Sequence, residues 1–272
     1  MTDRYAVFGN PIGHSKSPAI HRGFAAQFGD DISYEAIEPS LDGFRASLER
    51  FIAEGGRGIN ITAPFKTDAF DAADLRLEGA ELTGASNCLK FEDGSIVAEN
   101  FDGIGLLRDI EVNLGQTVVG KNVLFLGAGG ATRGAALPIL RAGAAQVVVA
   151  NRTLTKAQAI ARDFAAEGTV LAAGFDELTS GHDIILNATS TGLFGTRPEV
   201  SDDVFDGAAL AYELVYGKGL TGFLQQAQDV GVPTLADGVG MLVEQAAEAY
   251  AWWRGKRPET AALIEKMTVP LT

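Results

Sequence analysis

One cysteine, three histidines, three methionines and two tryptophans are all that a chain of 272 residues offers of these types. The single thiol, Cys88, excludes an intrachain disulfide framework and any multi-thiolate metal site. His14, His21 and His182 come without a matching set of further ligands, so no metal is expected. Positive charge is also scarce: 22 Lys and Arg face 35 Asp and Glu, a formal net charge of −13. A field of that sign repels phosphate backbones and anionic lipid, which argues against nucleic acid and membrane surfaces as partners. Its ordinary meaning is solubility, and any anionic small ligand then needs its own local cations. No apolar run approaches the roughly 18 residues of a membrane span. Met1-Thr2-Asp3-Arg4 leads into a strand-like segment without an apolar signal core, so cytoplasm is the expected compartment.

What is present is an ordinary globular composition, 46% hydrophobic and 21% charged, in a length that suits two domains. Tyr5 to Gly9 reads as a short buried strand, residues 18–28 as a helix and Ile32 to Ile37 as a strand. Leu41, Phe44, Leu48 and Phe51 share one face of an expected helix over 41–53, and Gly58 to Thr62 is a brief strand stopped by Pro64. A second α/β series begins near Gly105: strands at 122–126, 146–150 and 183–186, an alanine-rich helix over 131–142, and a buried helix over 239–254. Alternation of this kind points to an α/β fold with a mainly parallel sheet.

Gly127-Ala128-Gly129-Gly130-Ala131 lies directly between a strand and a helix. That placement provides a tight turn, close backbone approach to a pyrophosphate and a helix N-terminus facing the anion, as dinucleotide binding requires. The fingerprint is imperfect, with Thr132 in its third glycine position. NAD sites carry an acid roughly 20 residues further on, whereas Ala144 to Lys156 contains none. Arg152 and Lys156 there suit a ribose 2′-phosphate, so NADP is the expected cofactor.

Three clusters in the first half carry polar side chains at element ends. Ser15 and Ser17 precede a helix, where they could receive a carboxylate or where Ser17 could be a plain N-cap before Pro18. Asn60 and Thr62 project to one side of a strand end, with Lys66 following at the turn. Asn100-Phe101-Asp102-Gly103, with Ser86-Asn87 upstream, could orient a lysine or form an everyday turn.

In this order the clusters resemble the shikimate dehydrogenase family, including its shikimate/quinate branch. The likeness continues through Gly-Ala-Gly-Gly-Ala, Asn151-Arg152-Thr153, Asn187-Ala188-Thr189-Ser190 and Asp237 to Ala247. It implies an N-terminal α/β substrate-binding domain over 1–104, a doubly wound Rossmann-type NADP domain over 105–237, and C-terminal helices over 238–272 returning to the first domain. It implies an oxidoreductase interconverting shikimate and 3-dehydroshikimate, as a monomer or homodimer. Lys66 and Asp102 would be the catalytic pair. Ser15 and Ser17 would hold the carboxylate, with Asn60, Thr62, Asn87, Phe101, Tyr216 and Gln245 around the ring. Gly127, Ala128, Gly129, Gly130, Ala131, Asn151, Arg152, Thr153, Lys156, Thr189, Val215, Gly238 and Met241 would bind NADP.

Three departures bear on substrate. The family usually has threonine at Phe101, Ala-Val-Asn-Thr-Leu where Ala85-Ser86-Asn87-Cys88-Leu89 stands, and Tyr-Asn-Pro at Tyr216-Gly217-Lys218. Losing one neutral hydrogen bond at Phe101 costs roughly 0.5–1.5 kcal/mol, and the ring adds bulk, so weakened shikimate turnover is expected. The competing expectations are a related ring acid, such as quinate or aminoshikimate, and an NADP-binding regulator without turnover. Retention of both Lys66 and Asp102 argues against the regulator.

Overall fold

The computed structural model describes residues 2–271, which divide into two compact units: 2–105 with 243–263, and 106–242 with 264–271. In the first unit β1 (Asp3–Phe8), β2 (Ile32–Ile37) and β3 (Gly56–Ile61) pair in parallel, with α1 (Ser17–Phe28) and α2 (Phe44–Ala53) as crossovers. After α3 (Lys66–Ala72), β4 (Leu75–Arg76) and α4 (Glu78–Thr83) come β5 (Cys88–Glu92) and β6 (Ser95–Glu99). The sheet order is β2-β1-β3-β5-β6-β4, and β5 runs antiparallel to both neighbours. Between β5 and β6 the chain reverses at the Asp93-Gly94 turn: both residues have positive φ, 51° and 78°, as a tight hairpin requires. That dipeptide is the local signal for a hairpin that the coarse strand–helix alternation does not convey.

Phe8 explains why the first unit closes where it does. It is fully buried and meets Phe44 and Phe51 of α2 edge-on, at centroid separations of 6.0 and 5.9 Å. Each such side chain contributes roughly 1.5–3 kcal/mol by burial. Leu41 departs from the expected helical face. The helix starts at Phe44, so Leu41 lies in the preceding turn and stays 71% exposed.

The chain leaves the first unit within α5 (Asp102–Arg108), which runs into a π-helical turn over Asp109–Asn113. In the second unit β7 (Asn122–Leu126), α6 (Gly130–Arg141), β8 (Gln146–Ala150), α7 (Leu154–Asp163), β9 (Val170–Ala173), β10 (Ile184–Asn187), β11 (Leu210–Glu213), α8 (Gly222–Asp229) and β12 (Thr234–Asp237) follow in order. Six wholly parallel strands are ordered β12-β11-β10-β7-β8-β9. The order reverses on either side of β7, and an open α/β sheet binds ligands outside the strand ends at such a point.

The long helix α9 (Val239–Arg254) begins in the second unit and continues in the first, and α10 (Ala261–Met267) follows it. Residues 238–242 and 264–271 group with the second unit instead of with the rest of the C-terminal helices. Two contacts fit this grouping: Leu271 packs on the second core, and Gly240 lies against Asp109 so closely that a Cβ there would collide with its carboxylate. Among the described residues no helix is long and apolar enough to cross a membrane, and no group of three potential metal ligands occurs.

Candidate functional site

The first unit gathers its polar residues at strand ends and helix starts. Lys66 opens α3 and Asp102 opens α5, and Lys66 Nζ donates to Asp102 Oδ2 at 2.6 Å. The pair is part-buried, with side-chain exposures of 35% and 16%. Asn87 Nδ2 donates to the other carboxylate oxygen at 2.7 Å and to Gln245 Oε1, on α9, at 3.3 Å. Asn87 Oδ1 accepts the backbone N–H of Phe101 at 2.9 Å, and Asn100 Oδ1 accepts that of Asp102 at 3.1 Å. Asn60 joins from β3: its Nδ2 donates to the Asn87 carbonyl at 3.4 Å, and its Oδ1 accepts from the Tyr34 hydroxyl at 2.7 Å. Asn60, Asn87 and Gln245 are all buried. Buried amides hold one arrangement only when their partners are supplied, and here they supply one another.

Tyr34 is a member that sequence spacing does not reveal, since a tyrosine in a buried strand reads as core. Its ring stacks on His21 at 4.3 Å and 7°. His21 is completely buried, both ring nitrogens lack a hydrogen-bond partner, and burial pushes the imidazole down to about 3.

At the start of α1 the N-cap is Lys16, which makes no side-chain capping bond, and Pro18 occupies the first turn. Ser17 is therefore not the cap. Ser15 Oγ accepts the Ser17 N–H at 3.3 Å, and no acidic residue stands in the first turn. The first backbone donors of α1 are already taken, Ser17 by Ser15 Oγ and Ala19 and Ile20 by the Lys16 carbonyl, and Pro18 has none, so an anion there would meet the helix dipole and the two serine hydroxyls. Thr62 follows β3 and takes the Phe8 carbonyl through its N–H at 2.9 Å. Phe101 directs its ring elsewhere: it packs with Cys88, Ala249 and Trp252, meeting Trp252 edge-on at 5.6 Å. Only its backbone N–H reaches the polar network. Cys88 is fully buried, and burial pushes its thiol well above the ordinary range.

In the second unit the turn after β7 bounds a cavity of about 750 Å³. Gly127, Ala128, Gly129, Asn151, Arg152, Lys156 and Thr189 line it, joined by Thr191, Thr196 and Arg197, which lie beyond the motifs read from sequence. Gly130, Ala131, Thr153, Val215, Gly238 and Met241 lie outside this lining. Gly127 has φ +108°, and a Cβ there would sit 3.1 Å from the Ala188 backbone. Around Gly129 and Gly130 nothing lies within 4 Å of such an atom, so the turn presents bare backbone. Thr132, in place of the third fingerprint glycine, is fully buried and donates to the Gly127 carbonyl at 2.7 Å, tying the turn to its helix.

Helices α6 and α7 start without a side-chain capping bond or an acid in the first turn, and α7 carries Lys156 there. A cation at a helix N-terminus opposes the dipole unless an anion lies between them. Open helix ends, bare glycine backbone and the cations Arg152 and Lys156 together fit a phosphorylated dinucleotide. Elsewhere in the second unit, Tyr212 donates to Asp109 Oδ2 at 2.6 Å and accepts the Met241 N–H at 3.3 Å, while Asp237 takes the N–H groups of Gly217 and Val239 at 2.9 and 3.2 Å. Those bonds lock the start of α9 against the end of β11. Tyr216 follows β11 and is 39% exposed.

Comparison with known proteins agrees over nearly the whole length. Residues 7–89 match the family pattern of the shikimate dehydrogenase substrate binding domain. Residues 110–200 match that of shikimate / quinate 5-dehydrogenase, and residues 238–267 that of the shikimate 5′-dehydrogenase C-terminal domain. A shikimate dehydrogenase (NADP(+)) of Nitrosospira multiformis is 50% identical over 97% of this chain and 96% of its own. Among solved structures, an Ael1 enzyme from Pseudomonas putida is 56% identical, with a TM-score of 0.97 and full coverage of both chains. Shikimate 5-dehydrogenase from Thermus thermophilus, in complex with NADP(H) and shikimate, is 31% identical with a TM-score of 0.87, covering 97% of this chain and 98% of that one. The chain belongs to the shikimate dehydrogenase family.

Proposed function

We propose that the chain catalyses the NADP-dependent interconversion of shikimate and 3-dehydroshikimate. The observation that carries this reading is the Lys66–Asp102 pair at 2.6 Å, tied through Asn87 to Gln245. An acid–base lysine held by a carboxylate, among amides able to read ring hydroxyls, suits oxidation of a secondary alcohol and reduction of its ketone.

Bound NADPH supplies the hydride. Lys66 donates a proton from Nζ to the oxygen that becomes the hydroxyl, and in the reverse direction its neutral amine accepts that proton. Asp102 holds the ammonium through Oδ2 and keeps lone-pair capacity for the substrate hydroxyl. Asn60, Thr62, Asn87 and Gln245 orient the ring, and Tyr216 adds a further contact. Ser15 and Ser17 receive the carboxylate at the start of α1. Gly127 to Ala131 and Thr189 would hold the pyrophosphate region of NADP, Asn151, Arg152, Thr153 and Lys156 its ribose 2′-phosphate end, and Val215, Gly238 and Met241 its nicotinamide end.

Phe101 leaves the pocket without a hydroxyl at its position, which lowers efficiency without removing either reacting group. The working form is a monomer or homodimer in the cytoplasm. The decisive assay is initial-rate reduction of NADP with shikimate, run beside NAD and beside quinate. Turnover greatest for shikimate with NADP is the expected result. Tight NADP binding without shikimate oxidation would overturn the substrate and leave the cofactor.

A further inference from the structure

We propose that Arg197 is a third cation of the cofactor cavity and binds the diphosphate bridge of the dinucleotide. The proposal rests on the reading of this cavity as the NADP site. It begins with charge. In a chain of net charge −13, a phosphorylated ligand must be met by local cations or by backbone N–H groups. Arg152, Lys156 and Arg197 all line the cavity, and among the described residues none of the three makes an ion pair. Asp176 and Glu199 also line it, and neither is paired with Arg197.

Topology separates the cations. The glycine turn follows β7, Arg152 and Lys156 follow β8 on one side of it, and Arg197 follows β10 on the other. A dinucleotide whose 2′-phosphate lies on the β8 side crosses the glycine turn with its diphosphate. An arginine arriving from β10 meets that bridge, and a planar guanidinium can engage two phosphate oxygens at once.

The loop that carries Arg197 is built, not merely exposed. Glu213, fully buried on β11, accepts from Asn187 Nδ2 at 2.8 Å. Asn187 Oδ1 accepts from the Thr189 N–H and hydroxyl at 3.1 and 2.7 Å, and the Thr189 and Thr191 hydroxyls are 2.7 Å apart. Thr196 closes the turn by donating its N–H and hydroxyl to the Thr191 carbonyl at 3.0 and 3.2 Å. The base of Arg197 then packs beside Gly222 at the start of α8, where a Cβ on the glycine would lie 3.4 Å from the arginine Cβ. A ladder of bonds from a buried carboxylate thus fixes the loop backbone from which Arg197 projects.

Calorimetric titration of the full-length protein with NADP and with 2′-AMP, which carries the 2′-phosphate but no diphosphate, separates the two ends. Arg197→Met should weaken NADP by about tenfold, the loss of one charge-assisted contact, and leave 2′-AMP within about twofold. Arg152→Met should weaken both ligands. Unchanged NADP affinity in Arg197→Met would overturn the inference while the Arg152 result upholds the cavity. Equal losses for both ligands in Arg197→Met would overturn it too, by moving the arginine to the 2′-phosphate. A wild-type protein that bound neither ligand would remove the underlying reading together with the inference.

Discussion

The two units prepare for their ligands in opposite ways. In the first, the polar residues that surround Lys66 and Asp102 are buried amides already bonded to one another, and they rest on aromatic core. In the second, the cavity is walled by glycine backbone and exposed cations with no carboxylate partner. A neutral hydroxyl carries little charge, so it must be recognised by direction, and direction demands groups that cannot turn. A phosphate is recognised over a longer range, so exposed cations and backbone N–H groups suffice. Changes in the first unit should therefore disturb folding and chemistry together. Changes to cations in the second should disturb binding alone.

The largest effect that sharpens this contrast is at Lys66. Lys66→Met should lower kcat by about 10²–10⁴-fold, the range for loss of a general acid–base group, while NADP affinity measured by titration stays near wild type. A matching loss of NADP affinity would show that the units do not divide the work in this way. Next comes Phe101, whose backbone N–H serves the site while its ring lies in the apolar cluster of Cys88, Ala249 and Trp252. Phe101→Thr should destabilise by about 3 kcal/mol in chemical denaturation, as large-to-small core changes do, and raise kcat/KM for shikimate. Destabilisation no greater than that of Arg197→Met would break the contrast.

The smallest effect concerns His21. Its imidazole stays neutral in the fold down to about pH 3 because of burial, whereas the unfolded side chain titrates near 6.5. Between those values the unfolded state binds the extra proton, so stability is fully present above about pH 6.5 and falls as pH falls below it. This residue contributes at most about 1.4 kcal/mol per pH unit. His21→Phe keeps an aromatic ring against Tyr34 and should flatten the limb between about pH 6.5 and 5. Parallel curves for the two proteins would show that the histidine is not the group responsible.

Legibility from sequence divides along the same line. The second unit's binding turn is local: strand, glycines and helix are consecutive, and the cations follow one strand later, so order along the chain already describes the cavity's β7 and β8 walls. Its β10 wall is not local, because Arg197 lies far along the chain and reaches the turn only through the strand order. In the first unit Lys66, Asn87, Asp102 and Gln245 are distant in sequence. Spacing leaves each of them open between a turn, a solvated residue and a site residue, and only the family resemblance joins them. Tyr34 and His21 were illegible because aromatic residues among buried neighbours look like core, which they also are. Leu41 misled through periodicity alone: it shares a helical face with Phe44, but the helix begins after it. Phe101 takes its expected place beside the substrate from the family resemblance, and sequence contains nothing to say that Trp252, on a helix much later in the chain, packs against its ring.

Both tryptophans lie on one helix, Trp252 beside Phe101 and Trp253 stacked on Tyr5 with its indole N–H donated to the Leu89 carbonyl. Both belong to the first unit, and the second contains none. Selectively excited tryptophan emission is therefore a one-sided reporter. It follows melting of the unit that holds Lys66 and is blind to melting of the one that holds the glycine turn. Far-ultraviolet circular dichroism samples both, so a gap between the two unfolding midpoints would read out directly whether the units lose their structure together or in turn.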